Sequence, residues 1–79
     1  MTTVLLVEDD PAIAQPLTRA LQREGYQVRP AATGGAAVAA FGENGSEITL
    51  VILDLGLPDL DGLEVCRRIR AAGRDLPVL

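Results

Sequence analysis

The chain of 79 residues contains no lysine; all seven of its basic residues are arginines. It has a single cysteine, Cys66, and its only aromatic residues are Tyr26 and Phe41. One cysteine rules out a disulfide within the chain and fits a reducing, cytoplasmic setting. Cys66 is read as a small apolar helix residue rather than a reactive or metal-bound thiol. With so few aromatics, the core has to be aliphatic, built from Leu, Val, Ile and Ala. The opening MTTVLLVEDD carries an apolar run of only four residues, flanked by acids. That is neither a secretory signal nor the roughly twenty apolar residues of a membrane span. Net charge is −4 and no run of arginines stands out, so contact with nucleic acid through this segment is not expected. Arg67, Arg68 and Arg70 are read as solvated helix surface. A chain of this size makes one domain, residues 1–79, and buries only about 60–65% of its unfolded surface.

What is present is a regular alternation. Val4 to Val7 is a continuous branched-aliphatic run, the pattern of a strand buried on both faces. Asp10-Pro11 reads as an N-cap followed by proline at the first helical position. Ile13, Leu17, Ala20 and Leu21 follow at helical spacing, and Gly25 stops the helix. Pro16 lies inside it, cannot donate to the Ala12 carbonyl, and predicts a bend. Residues 27–31 form a shorter strand, and Thr33 precedes an Ala-rich helix over 35–41. The adjacent Gly34 and Gly35 read as a flexible helix start; no GK[ST] follows to make a phosphate loop. After the polar stretch 42–48, residues 50–53 are again apolar. Leu63, Cys66 and Ile69 mark a third helix, with Asp61 and Glu64 spaced as a capping box. Gly73 ends that helix, and Pro77-Val78-Leu79 begins a further strand. The β-α-β-α-β-α-β order predicts an α/β fold with a parallel sheet and right-handed crossovers.

Two strands end in acids, VLLVEDD and VILD. Strand ends of a parallel sheet share one edge, where crossovers diverge and ligands bind. If the first and third strands are neighbours, about 4.8 Å apart, Glu8, Asp9 and Asp54 converge. Such carboxylates cannot all stay ionised unless a cation sits among them, and an oxygen-only set suits Mg²⁺. Taken alone, the Glu8-Asp9-Asp10 run is more simply a solvated loop with one cap; the second acid-ended strand favours the cation site.

LLVEDD, then ILDLGLPDLDG, a helix over 63–72 and PVL together resemble the receiver domains of two-component response regulators, especially those heading OmpR/PhoB-type transcription factors. An aspartate with proline four and glycine eight residues later, and an acidic pair about 45 residues upstream, is a specific combination that spans the whole chain. The resemblance implies a flavodoxin-like, three-layer parallel sheet, stopping here at the start of the fourth strand. It makes Asp54 the acceptor of a phosphoryl group from a sensor histidine kinase. It gives Mg²⁺ the ligands Glu8, Asp9 and Asp54 with the Gly56 backbone carbonyl, and leaves Asp10 as the helix cap. Pro58 and Gly62 shape the loop. The module is then not an enzyme, and its parent is a DNA-binding transcriptional regulator.

A rival reading takes DLDGL, residues 59–63, as the DxDGT motif of haloacid-dehalogenase-type phosphatases. That motif should leave a strand directly, whereas Asp59 follows Pro58, and Leu63 replaces the threonine. Asp59 is therefore read as solvated loop and Asp61 as the cap of the third helix. The family also calls for Ser or Thr after the fourth strand and Lys after the fifth, and neither position falls in residues 1–79. The expectation is weak Mg²⁺ binding, slow or absent phosphorylation, impaired switching, and self-association or domain swapping through an exposed sheet edge. A second possibility is an interaction-only module that binds the kinase or a full-length regulator without being phosphorylated.

Overall fold

In the computed structural model, residues 2–44, 47–54, 59 and 61–71 are described. Their order is β1 (Thr3–Val7), α1 (Pro11–Arg23), β2 (Gln27–Ala31), α2 (Gly34–Asn44), β3 (Ile48–Leu53) and α3 (Gly62–Ala71). The start of a further strand at 77–79, and the helix stop at Gly73, lie outside the described residues. The sheet is parallel with the order β2-β1-β3, so the first and third strands are neighbours. The parallel sheet is the one the alternation predicts, and the arrangement is the flavodoxin-like one that the resemblance implies.

β1 is buried along its whole length, because it is flanked by strands on both sides and covered on both faces. Side chains alternate across it. Leu5 and Val7 join Ala31, Ala37, Phe41, Ile48, Val51, Val65 and Ile69 in one core cluster, between the sheet and α2 and α3. Val4 and Leu6 are buried on the opposite face, which they share with Pro30, the register partner of Leu6. There α1 lies along β2, with Ala14, Gln15 and Thr18 lining a shallow depression with Pro30. Three layers result: α1, the sheet, and α2 with α3. Proline is tolerated in β2 because that strand is at one end of the described sheet.

The elements differ from their sequence signals in instructive ways. β1 begins at Thr3, whose buried hydroxyl lies 3.4 Å from the Gln27 side-chain oxygen. β3 begins at Ile48 rather than Leu50; the polar Thr49 between them interrupts the apolar run but is exposed, and the ladder passes through it with a register shift. α2 extends to Asn44. On α3 the buried face is Gly62, Val65 and Ile69, while Leu63 is 61% exposed and Cys66 only half-buried. Leu63 is thus a poor marker of that face: it lies two residues before Val65, about 200° around the helix. On α1 no residue is fully buried, and Ile13 is 51% exposed despite its helical spacing with Leu17 and Leu21.

Both ends of α1 follow local chemistry. Asp10 has extended backbone angles and its Oδ1 accepts the Ala12 N–H at 2.9 Å, with Pro11 beginning the helix. At the other end Gly25, at φ +93°, donates its N–H to the Gln22 carbonyl and the Tyr26 N–H donates to Leu21. That pair of bonds is a Schellman stop, which needs a left-handed residue and so favours glycine. Pro16 is accommodated within the continuous helix. Among the described residues, no helix is long and apolar enough to cross a membrane.

Candidate metal centre

Register decides where the acids meet. Val7 pairs with Ala31 on one side and with Leu53 on the other, so β1 and β3 end level. The ladder runs one residue further: the Glu8 N–H donates to the Ala31 carbonyl at 3.0 Å and the Asp54 N–H to the Val7 carbonyl at 2.9 Å. Glu8 and Asp54 therefore leave neighbouring strands at the same height, with backbones fixed by the sheet. Asp9 follows before the chain turns into α1.

Glu8, Asp9 and Asp54 each bring a carboxylate oxygen within 4.8 Å of the others. Glu8 and Asp54 are half-buried and Asp9 is exposed. Opposing influences act on Glu8. The Asp10 N–H, 3.2 Å from its Oε2, favours the carboxylate, but desolvation and the neighbouring Asp54 and Asp9 carboxyls outweigh it. The Glu8 pKa is therefore held above its ordinary value. Three acceptor-rich groups thus share a small volume. A hard cation with oxygen preference fits such a set.

The other acids near this edge are occupied differently. Asp10 caps α1, as expected, and Glu8 and Asp9 are the pair that converges with Asp54. Asp61 caps α3, its Oδ1 accepting the Leu63 N–H at 2.8 Å, while Glu64 pairs with Arg67 and Arg68 along the helix. Asp59 is an exposed loop residue, as read, but it also engages α2. Its two oxygens accept the Gly34 N–H at 2.7 Å and the Gly35 N–H at 2.8 Å. Gly56, expected to offer a backbone carbonyl, and Pro58 lie outside the described residues.

With that geometry in place, similarity to known proteins becomes informative. Residues 4–79 match the family described as "Response regulator receiver domain". The chain belongs to that family. It is 43% identical over 76 residues to the response regulator MprA of Mycobacterium sp. strain KMS, covering 96% of this chain and 32% of that protein. It is 42% identical over 79 residues to the sensory transduction protein RegX3 of Mycobacterium bovis, covering all of this chain and 34% of that protein. This receiver chain thus spans about a third of the length of the curated relatives it matches. Among solved structures, the response regulator TrrA of Thermotoga maritima in complex with Mg²⁺-BeF superimposes with a TM-score of 0.90 at 37% identity, over 99% of this chain and 66% of that one. A crystal structure of the histidine kinase ThkA in complex with TrrA matches with a TM-score of 0.89, at the same identity and coverage.

Proposed function

We propose that this receiver domain accepts a phosphoryl group on Asp54 from a sensor histidine kinase, with Mg²⁺ held by Glu8, Asp9 and Asp54, and with the Gly56 carbonyl as a further ligand. The observation that carries the reading is the convergence of those three carboxylates at level strand ends. The TrrA complexes, one with Mg²⁺-BeF and one with a histidine kinase, support both the metal and the partner by similarity.

The chemistry divides among the chain's own groups. An Asp54 carboxylate oxygen forms the new O–P bond as the P–N bond of the donor phosphohistidine breaks, and the imidazole leaves with the electron pair. The backbone bond from Asp54 to Val7 fixes the main chain at the nucleophile. Glu8 and Asp9 keep the site acidic enough to attract a divalent cation. When bound, Mg²⁺ supplies charge neutralisation and a template for the phosphoryl oxygens. Asp54 is consumed rather than regenerated, so the domain is a phosphoacceptor and not an enzyme, its catalysis being at most that of its own modification. As no lysine occurs in residues 1–79, no lysine ammonium meets the new phosphoryl charge there, and transfer to these residues by themselves should be slow or absent. The working context is a cytoplasmic phosphorelay controlling transcription.

Intact-mass measurement with acetyl phosphate and Mg²⁺ tests this. An adduct of about 80 Da, the mass added by one phosphorylation, should accumulate slowly, map to Asp54 and be missing from Asp54→Asn. An adduct that persists in Asp54→Asn, or a wild type that binds no Mg²⁺, overturns the assignment. Kinase binding that is equal for wild type and Asp54→Ala, with no adduct on either, would establish the interaction-only reading instead.

A further inference from the structure

The first turn of α2 contains no acidic residue, yet each of its orphan amides has a partner. The Ala36 N–H donates to Thr33 Oγ1 at 3.0 Å and the Ala37 N–H to the Thr33 carbonyl at 3.0 Å. The Gly34 and Gly35 amides are taken by Asp59, which lies 25 and 24 residues away in sequence. One carboxylate spanning two successive amides at a helix start combines charge-assisted hydrogen bonds with a favourable helix dipole. The approach is close at Gly35, where a Cβ would stand 3.2 Å from Asp59 Oδ2.

The location of this clamp matters. Four residues, 55–58, separate Asp54 from Asp59. The near end of that segment is tied to β1 by the Asp54–Val7 bond, and the far end to α2 by Asp59. We propose that Asp59 is a positioning residue for the acceptor site: by gripping the α2 amides it anchors the chain five residues beyond Asp54, and so biases the direction of the Asp54 carboxylate. The role rests on the Mg²⁺-dependent acceptor reading of that site. Such a role couples the two places reciprocally: whatever factor the clamp adds to Mg²⁺ affinity, bound Mg²⁺ adds to the Gly34 and Gly35 bonds.

Amide hydrogen exchange and Mg²⁺ titration by NMR test the proposal. Asp59→Ala should accelerate Gly34 and Gly35 exchange about tenfold in the metal-free protein, as expected for a lost charge-assisted bond. It should raise the Mg²⁺ Kd by about threefold to tenfold, with Asp59→Asn, which retains one acceptor oxygen, between the two. In the wild type, Mg²⁺ should slow exchange at Gly34 and Gly35; in Asp59→Ala it should not. Gly35→Ala supplies the variant that a purely structural role cannot explain. It improves helix propensity, so it is not expected to unfold the domain, but it crowds the clamp and should weaken Mg²⁺ binding in the same direction as Asp59→Ala. Faster exchange with an unchanged Mg²⁺ Kd would reduce Asp59 to a helix cap and overturn the positioning role. Unchanged exchange would overturn the clamp itself. A wild type that binds no Mg²⁺ would remove the acceptor reading and the role built on it, while the exchange data would still report on the clamp.

Discussion

Six carboxylates gather where the strands end and the helices begin, and they fall into two groups of different physical character. Asp10, Asp59 and Asp61 each accept backbone amides at the start of α1, α2 and α3 respectively. Glu8, Asp9 and Asp54 instead face one another within 4.8 Å. The first group stabilises helices and has its charge met by amide donors; in the second, the crowding of carboxyls holds the Glu8 pKa above its ordinary value. Because the capping group already engages the helix amides, those amides are not available to balance the second group.

The contrast can be broken experimentally, and the largest effect should come from its centre. Asp54→Asn should abolish the phosphoryl adduct seen by intact mass while leaving thermal stability unchanged or raised, since one member of a repelling set becomes neutral. A large loss of stability would mean that Asp54 belongs with the caps. Next in size, Asp10→Ala and Asp61→Ala should each cost about 1 kcal/mol in chemical denaturation, with Mg²⁺ affinity essentially preserved. Glu8→Gln should do the reverse, weakening Mg²⁺ binding while stabilising the metal-free protein slightly.

The smallest effect is a pH dependence whose sign follows from Glu8. Its folded-state pKa is raised, so between the unfolded and folded values the native protein binds more protons than the unfolded chain. Metal-free stability is therefore fully present below the unfolded value and declines as pH rises through the folded one. Saturating Mg²⁺ or Glu8→Gln should flatten that decline in melts recorded across the acidic range. A decline of the same slope in Glu8→Gln would assign it to another group.

Local signals made much of this readable from sequence. The Val4–Val7 run, Asp10-Pro11 and Asp61 carry their structural roles within a few residues, because strand burial and helix capping are short-range physics. The convergence of Glu8 and Asp9 with Asp54 was legible only on condition that β1 and β3 were neighbours, a pairing that residue types do not encode. The Asp59 clamp was missed for a related reason. Its partners are some 25 residues distant, and they are backbone amides of glycines, which show no side-chain signature. A clue existed in the pairing of two adjacent glycines with a helix that has no acid in its first turn, since such a start leaves amides open to a carboxylate from elsewhere. Ile13 and Leu63 misled in the opposite direction, for helical spacing states which residues share a face but not whether anything covers it.

The parallel pairing of β1 with β3 has one more consequence. Glu8 and Asp9 lie about 45 residues before Asp54, and only the completed ladder brings them level. An unfolded or half-paired chain offers a cation nothing more than scattered acids. On the proposed metal-site reading, Mg²⁺ affinity would gauge finished sheet assembly, the ion selecting molecules in which the first and third strands have met.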